Sequence, residues 1–261
     1  MNLPFRHVDL VGEFACRSTT LAWPAERVRQ LLPFGLGLAP QTLTSPGTHP
    51  VCFFFYDFFR VRMNVPTLLP NMTYNEHVLG VPFVQAEGGD GAGRPAGPFF
   101  FMPRLLLDDV WAILGGLVFW GYSKRPARIR VTKRAFQVSD LAGRPQVALE
   151  FTEAGDAVTP DALSTFAPIR ALLDQPMLTE LPVGVGPFVV CHRYEKDWGR
   201  ATVQPLATTV DIREAYVPGL PCGRFPSPAV TEGALGGYLL RCPFRQTVPY
   251  PWALHRQVQR A

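Results

Sequence analysis

Residues 51–62 read VCFFFYDFFRVR, and they are the clearest indication of the fold class. Most of its residues are aromatic or β-branched, and such residues favour β-strands. Similar runs, each bounded by Pro, Gly, Asn or Asp, recur at residues 74–84, 98–107, 129–137, 147–152, 188–193, 201–210 and 237–241. The pattern predicts a mainly β fold, built on a largely antiparallel sheet with a few helices.

Three segments carry helical signals instead. In residues 23–32 an early proline, Pro24, precedes apolar residues at helical spacing, and residues 160–173 form another candidate. In the third segment, Asp108 and Asp109 precede the apolar residues 110–118, as N-capping residues do. The glycine-rich residues 87–97 (EGGDGAGRPAG) predict a hairpin loop and lack the lysine of a phosphate-binding loop. No repeat or linker interrupts the chain, so we expect a single domain over residues 1–261.

Composition excludes several classes of protein. A hydrophobic content of 47% argues against disorder, and a net charge of +4 without a basic run gives no support for a nucleic-acid partner. The most apolar run, residues 110–122, is shorter than the ~20 residues that span a bilayer. The first ten residues lack the apolar region of a signal peptide. We therefore expect a cytoplasmic protein without a membrane partner.

The five cysteines are scattered, at positions 16, 52, 191, 222 and 242. They form no C-x-x-C pair, and the five histidines show no ligand spacing, so we expect free, buried thiols and no metal or other cofactor. Only three of the 25 basic residues are lysines: Lys124, Lys133 and Lys196.

Lys124 is the candidate for chemistry. It follows a long apolar run, and Arg125 comes directly after it. Burial and a neighbouring cation both favour a neutral amine, which can attack a carbonyl group to form a Schiff base. An alternative is a lysine at the end of a core segment, with a buried stem and its amine in water.

Residues 107–127 (LDDVWAILGGLVFWGYSKRPA) resemble the active-site segment of the acetoacetate decarboxylase family, whose pattern is L-D, then G-R-E, an aromatic residue and P-K-K. Residues 73–82 (TYNEHVLGVP) resemble the family's Y-x-E segment, and residues 176–183 and 196–201 resemble later segments more loosely. This resemblance implies an antiparallel β cone or barrel with the lysine in an apolar cavity, and a homo-oligomeric assembly.

The resemblance also implies site residues. Lys124 matches the Schiff-base lysine, and Arg125 matches the second lysine of P-K-K. Glu76 matches the glutamate of Y-x-E, a carboxylate suited to proton transfer, and the neighbouring Tyr74 and Tyr122 match aromatic positions. Alternatives stay open for these residues. Glu76 could form an ion pair with an arginine of the sheet, both tyrosines could serve in core packing, and Arg125 either keeps the amine deprotonated or points out to solvent.

Departures from the family pattern bear on the substrate. In a gapless alignment, G-R-E becomes Gly116, Leu117 and Val118, so we expect a more apolar pocket lined by Leu117 and Val118. The proline before the lysine becomes Ser123, and the nearest candidate for the family's N-terminal arginine is Arg17.

The function that follows is a lyase that forms a Schiff base between Lys124 and an oxo acid or related small-molecule carbonyl compound. Its reaction would be a decarboxylation or an aldolase–dehydratase reaction. Two alternatives stay open. One is a non-covalent cyclase or isomerase of a biosynthetic pathway in which Glu76 acts alone, and the other is a binding protein without turnover. Residues beyond about 215 predict a proline-rich irregular tail packed on a neighbouring subunit.

Overall fold

The fold is a single large β-sheet of 16 strands. The computed structural model describes residues 9–65, 70–87, 97–180, 188–227, 235–247 and 254–256. The strands are β1 (Asp9–Pro24), β2 (Leu36–Leu38), β3 (Thr48–Met63), β4 (Met72–Ala86), β5 (Phe99–Leu107), β6 (Lys124–Pro126), β7 (Arg128–Val131), β8 (Ala135–Ser139), β9 (Pro145–Glu153), β10 (Met177–Glu180), β11 (Phe188–His192), β12 (Tyr194–Lys196), β13 (Thr202–Ile212), β14 (Gly223–Ser227), β15 (Gly237–Thr247) and β16 (Leu254–Arg256).

The strand order is β16-β11-β10-β5-β4-β3-β1-β15-β13-β9-β8-β7, and four short strands attach to this path. Among the described strands, β5 pairs in parallel with β6 and β10, and the other pairs are antiparallel. The sheet curls into a nearly closed barrel. The prediction of a mainly β, largely antiparallel fold with few helices is confirmed.

Two predictions about strands are corrected. Residues 129–137 form β7 and β8 rather than one strand, because a hydrogen-bonded turn at Thr132 separates them. The described residues beyond 215 do not form an irregular tail. They contribute β15, which lies between β1 and β13 near the middle of the sheet.

The helices are α1 (Ala25–Arg29), α2 (Val110–Trp120) and α3 (Ala167–Leu173), with 3-10 turns at Pro160–Ala162, Ser164–Phe166 and Trp198–Arg200. Each predicted helix overlaps one of the α-helices, and two of the three are shorter than expected. The Asp109 carboxylate accepts a hydrogen bond from Ala112 N at 2.8 Å, so the predicted N-cap of α2 is present. Of the predicted loop 87–97, residues 88–96 lie outside the described residues.

The two faces of the sheet bury two separate apolar clusters, because successive side chains of a strand point to opposite sides. On β3, Phe54 and Tyr56 join one cluster, while Phe53 and Phe55 join the other. The first cluster surrounds the cavity described below. The second lies between β3, β4 and the outer strands β8, β9 and β13. This alternation decides which side chains can reach the cavity.

Four cysteines are described, and all are free thiols. Cys16, Cys52 and Cys242 are buried as expected, but Cys222 is exposed because it lies in the loop before β14. The side chain of Cys191 is outside the described residues. In the part of the chain that the structure describes, no helix has the length and apolarity needed to cross a membrane.

Candidate active site

A buried ion pair lies at the centre of the first apolar cluster. Lys124 Nζ is 3.1 Å from Glu76 Oε2, and the two side chains are only 6% and 5% exposed. Taking two charges out of water costs several kcal/mol for each ion, so such a pair is uncommon unless it has a use. The Lys124 amine is therefore not in solvent, and the carboxylate's partner is this lysine rather than an arginine of the sheet.

Strand pairing brings the two residues together. Glu76 on β4 pairs with Leu107 on β5, and Lys124 on β6 pairs in parallel with Leu105 on the same strand. β5 thus lies between the strands that carry Glu76 and Lys124, and it fixes the separation of the two residues. Lys124 and Glu76, which the resemblance implied as site residues, are thus in direct contact.

Helix α2 passes beside the lysine, and Gly116 makes room for it. A Cβ added at Gly116 would lie 2.7 Å from Lys124 Cδ and 2.8 Å from Lys124 Cε, closer than carbon atoms approach. The helix ends at Gly121, whose positive φ of 67° is readily adopted only by glycine. This turn directs Tyr122 and Lys124 back along the helix toward Glu76.

The pair lies in a cavity of about 60 Å³ with apolar walls. Among its lining side chains, Lys124 and Glu76 are the charged ones. The Lys124 amine lies 5.6 Å from the centre of the Tyr74 ring and 5.4 Å from that of Tyr122, so both tyrosines flank it. Much of the rest of the wall is aromatic: Phe54, Tyr56, Phe58, Phe100, Trp120 and Phe244.

The hydroxyl of Tyr122 belongs to a buried hydrogen-bonded chain. Gln246 Nε2 donates to Tyr122 Oη, and the Tyr122 hydroxyl also shares a hydrogen bond with His192 Nε2. His192 Nδ1 is buried without a hydrogen-bond partner among the described residues. Burial lowers the pKa of His192 to about 3, so the ring is neutral at pH 7. The chain holds the Tyr122 ring fixed beside the amine.

Burial also changes the pKa of Glu76. Desolvation raises the pKa of Glu76, the Lys124 cation partly offsets that rise, and the Asp108 carboxylate adds to it. Desolvation raises the pKa of Tyr74 and Tyr122 as well, and the Glu76 carboxylate contributes in both cases. The two phenols therefore stay neutral, and Glu76 accepts a proton more readily than an exposed carboxylate does.

Arg125 does not face the amine, contrary to the expectation of a neighbouring cation in the pocket. Its side chain is exposed, because β6 is an extended strand and residues next to each other on it point to opposite faces. The positive charge of Arg125 acts on Arg104 instead. Burial lowers the pKa of the Arg104 guanidinium, and the Arg125 charge lowers it further.

Three other expected site residues also lie elsewhere. Leu117 and Val118 are 41% and 71% exposed, because they occupy the outer face of α2 while Gly116 and Trp120 occupy the inner one. They do not line the cavity. Arg17 lies on the face of β1 opposite to the cavity, where its Nη1 is 2.6 Å from Asp57 Oδ2.

Lys196 is a second largely buried lysine and provides an internal comparison. Burial lowers its pKa to about 8. Its amine, however, donates hydrogen bonds to Leu173 O at 2.6 Å and Tyr194 O at 3.1 Å, and the residue does not line the cavity. By position, Lys124 is the lysine that can meet a ligand in this cavity.

Sequence reasoning missed His192 and Gln246. They reach Tyr122 from 70 and 124 residues away along the chain, through the positions of β11 and β15. No local pattern signals such a contact. Within the described residues, no three or more His, Cys, Asp or Glu side chains come together as metal ligands.

No protein-family model and no curated protein matches the sequence. Solved structures do match. The enduracididine biosynthesis enzyme MppR with HEPES buffer bound has a TM-score of 0.59 at 15% identity, covering 98% of this chain and 90% of the other. Acetoacetate decarboxylase from Legionella pneumophila has a TM-score of 0.58 at 12% identity, covering 95% and 86%.

An acetoacetate decarboxylase-like enzyme from Sphingomonas wittichii RW1 matches with a TM-score of 0.55 at 15% identity, covering 92% of this chain and 91% of the other. These matches define the class of structure: a large curled β-sheet with a few helices. More particularly, the chain has the acetoacetate decarboxylase-like fold, as the resemblance of residues 107–127 predicted.

Proposed function

We propose that this protein is a lyase that forms a Schiff base between Lys124 and a small carbonyl compound. The buried Lys124–Glu76 pair inside an apolar cavity is the observation that carries the proposal. A desolvated lysine beside a proton acceptor is the arrangement that activates an amine as a nucleophile.

The first step is a proton transfer along the 3.1 Å hydrogen bond from the Lys124 ammonium to Glu76. The raised pKa of Glu76 favours this transfer, because it makes the neutral acid easier to form. The neutral amine then attacks the carbonyl carbon. The attacking nitrogen gives one proton to the carbonyl oxygen, Glu76 returns its own proton to the same oxygen, and that oxygen leaves as one water. The products are an iminium ion on Lys124 and the original Glu76 carboxylate, so charge and atoms balance.

The iminium ion acts as an electron sink for the next step. Electrons of a bond to the adjacent carbon, either C–H or the C–C bond to a carboxylate, flow toward the iminium nitrogen to give an enamine. In the C–H case Glu76 accepts the proton, a role that requires about 2.6–3.2 Å between heavy atoms or one intervening water. In the C–C case the carboxylate leaves as carbon dioxide. The enamine then takes up a proton or attacks a second carbonyl compound, and water releases the product from Lys124.

The fold matches support carbonyl chemistry without choosing the reaction. MppR has been solved in complex with pyruvate and in complex with the condensation product of pyruvate and imidazole 4-carboxaldehyde, with TM-scores of 0.57 and 0.56 to this chain. An aldolase–dehydratase reaction on a carbonyl pair and a decarboxylation of an oxo acid are thus the two forms of the proposal.

Borohydride trapping tests the proposal. The protein is incubated with a panel of aldehydes, ketones and oxo acids, reduced, and analysed by intact mass and peptide mapping. We expect a reduced adduct on Lys124 that is absent from Lys133 and Lys196 and from the Lys124→Ala variant. Lys196 is the matched control, since it is also largely buried. A folded protein that yields no adduct with any compound, or turnover that survives in Lys124→Ala, would overturn the Schiff base in favour of a non-covalent enzyme or a binding protein.

A further inference from the structure

A basic groove lies on the opposite face of the sheet from the cavity. We define it by Arg17, Lys133, Arg134 and Arg241 over an apolar floor of Phe151 and Leu239. Its volume of about 340 Å³ exceeds the 60 Å³ of the cavity. Nothing in the Schiff-base mechanism uses these residues. The groove therefore calls for its own explanation.

Strand pairing places the cations side by side. Arg17 on β1 pairs with Leu239 on β15, and Arg241 lies two residues further along β15 on the same face. Lys133 and Arg134 come from the turn between β7 and β8, which reaches over from the outer strands. Four basic side chains from three parts of the chain thus converge on one groove.

The turn that presents Lys133 and Arg134 is held by hydrogen bonds. Ala135 N donates to Thr132 Oγ1 at 3.0 Å, and Thr132 N donates to Ala135 O at 2.8 Å. Phe151 N donates to Arg134 O at 2.9 Å, which ties the turn to the floor of the groove. The backbone that carries the two cations is therefore already fixed, so little backbone freedom is lost when a ligand binds.

Arg17 supplies the second observation. Its Nη1 is bound to Asp57, and its guanidinium lies 4.8 Å from the centre of the Phe151 ring, so its orientation is set. Its Nε is nevertheless buried without a hydrogen-bond partner among the described residues. Buried donors in native proteins nearly always have a partner, and an exception points to an absent water or ion.

Charge defines what the groove can hold. The Arg17–Asp57 pair is neutral, and Glu153 is the acidic residue in the lining. Within the described residues, Lys133, Arg134 and Arg241 make no ion pair, which leaves the groove with an excess of positive charge. Guanidinium groups bind carboxylate and phosphate oxygens with paired hydrogen bonds.

From these observations we infer that the basic groove is a second ligand site that binds a small organic dianion, a phosphate monoester or a dicarboxylate. The anionic end lies between Arg134 and Arg241, and the apolar part lies on Phe151 and Leu239. The inference is independent of the proposed Schiff base, because the groove and the cavity lie on opposite faces of the sheet.

Calorimetric titration of the full chain tests the inference, with phenyl phosphate, inorganic phosphate and succinate as probes. We expect saturable binding that weakens as salt is added, since exposed charges are screened. The Arg134→Ala/Arg241→Ala variant should bind about tenfold more weakly or worse, since charge-assisted hydrogen bonds are lost. The matched control is Arg128→Ala/Arg130→Ala, which removes two exposed arginines of β7 outside the groove.

The outcomes separate cleanly. Stronger binding of phenyl phosphate or of succinate identifies the phosphate or the dicarboxylate class. Absence of saturable binding of all three probes overturns the site, and so does equal weakening in both double variants, which would reflect only net charge. Because neither variant touches the cavity, borohydride trapping on Lys124 should be unchanged in both. A failure of trapping therefore bears on the proposed function and not on the groove.

Discussion

The alkyl stem of Lys124 crosses helix α2 over Gly116, where a methyl group would come within 2.7 Å of Lys124 Cδ. Lys124 and helix α2 thus fit together because residue 116 has no side chain. The atoms in conflict belong to a flexible chain, so a larger residue would displace the lysine rather than unfold the protein.

The Gly116→Ala variant should accordingly remain folded and lose borohydride trapping, because its amine moves away from Glu76. We expect its trapping rate to fall by about 10²-fold, the scale on which misplaced reacting groups lose rate. Gly199→Ala serves as the control, since its new methyl group would meet only Asp197 Oδ1, at 3.6 Å. Trapping at the original rate in Gly116→Ala would show that Lys124 does not need the space left by the missing side chain at residue 116.

Removal of one partner of the buried pair should cost more stability than removal of both. Glu76→Gln leaves a buried cation unpaired, and we expect a loss of about 3–5 kcal/mol in the free energy of unfolding. The Glu76→Gln/Lys124→Met variant replaces the pair by neutral groups of similar size and should be close to the original protein in stability. Urea denaturation measures both values. A double variant less stable than the single one would contradict the explanation that an unpaired buried charge destabilises Glu76→Gln.

Charge balance in the cavity predicts a preference among substrates. Glu76 already neutralises the cation on Lys124, so a bound carboxylate would add an unbalanced negative charge in an apolar cavity. We expect 2,4-pentanedione to be trapped faster than acetoacetate, which has nearly the same shape but carries a carboxylate. Faster trapping of acetoacetate would contradict this charge argument and would favour the decarboxylation form of the proposal.

Two buried histidines should make the fold sensitive to acid. Burial lowers the pKa of both His77 and His192 from 6.5 to about 3. Between these values the unfolded chain binds protons that the folded chain does not, so stability is full above pH 6.5 and is lost as pH falls toward 3. Each histidine should cost about 2 kcal/mol by about pH 5. Denaturation midpoints at several pH values measure the loss.

The His192→Gln variant tests the contribution of one ring. Gln keeps a polar atom near Tyr122 Oη and does not titrate in this range. The fall in stability between neutral pH and about pH 5 should therefore shrink by about 2 kcal/mol relative to the original protein. An unchanged fall would place the acid sensitivity in other groups.

The resemblance to the family's segments implied Lys124 and Glu76 as site residues, but not the geometry around them. Strand alternation alone would have excluded Arg125, because it neighbours Lys124 on an extended strand. Helical periodicity would have excluded Leu117 and Val118, since Gly116 and Trp120 share the inner face of α2. Alignment to a motif gives positions along a chain, and these positions reach a cavity only when the secondary structure turns them inward.

No strand was predicted for β1, although this strand pairs with both β3 and β15. Polar residues interrupt its apolar pattern, and they are buried because distant strands supply their partners. Thr208 Oγ1 donates to Thr19 Oγ1 at 3.0 Å, and Ser18 Oγ donates to Tyr238 O at 3.3 Å. The same limit applies to His192 and Gln246, whose contact with Tyr122 depends on strand pairing over long distances in the sequence.

The flanking of the Lys124 amine by Tyr74 and Tyr122 has a consequence for stereochemistry. An iminium ion is planar, and a plane held between two rings cannot turn over. Glu76, the acid of the pair, would then meet a single prochiral face. A proton delivered to the enamine from that side would give one enantiomer of any product with a new stereocentre. The configuration of the product would therefore show on which face of the enamine Glu76 lies.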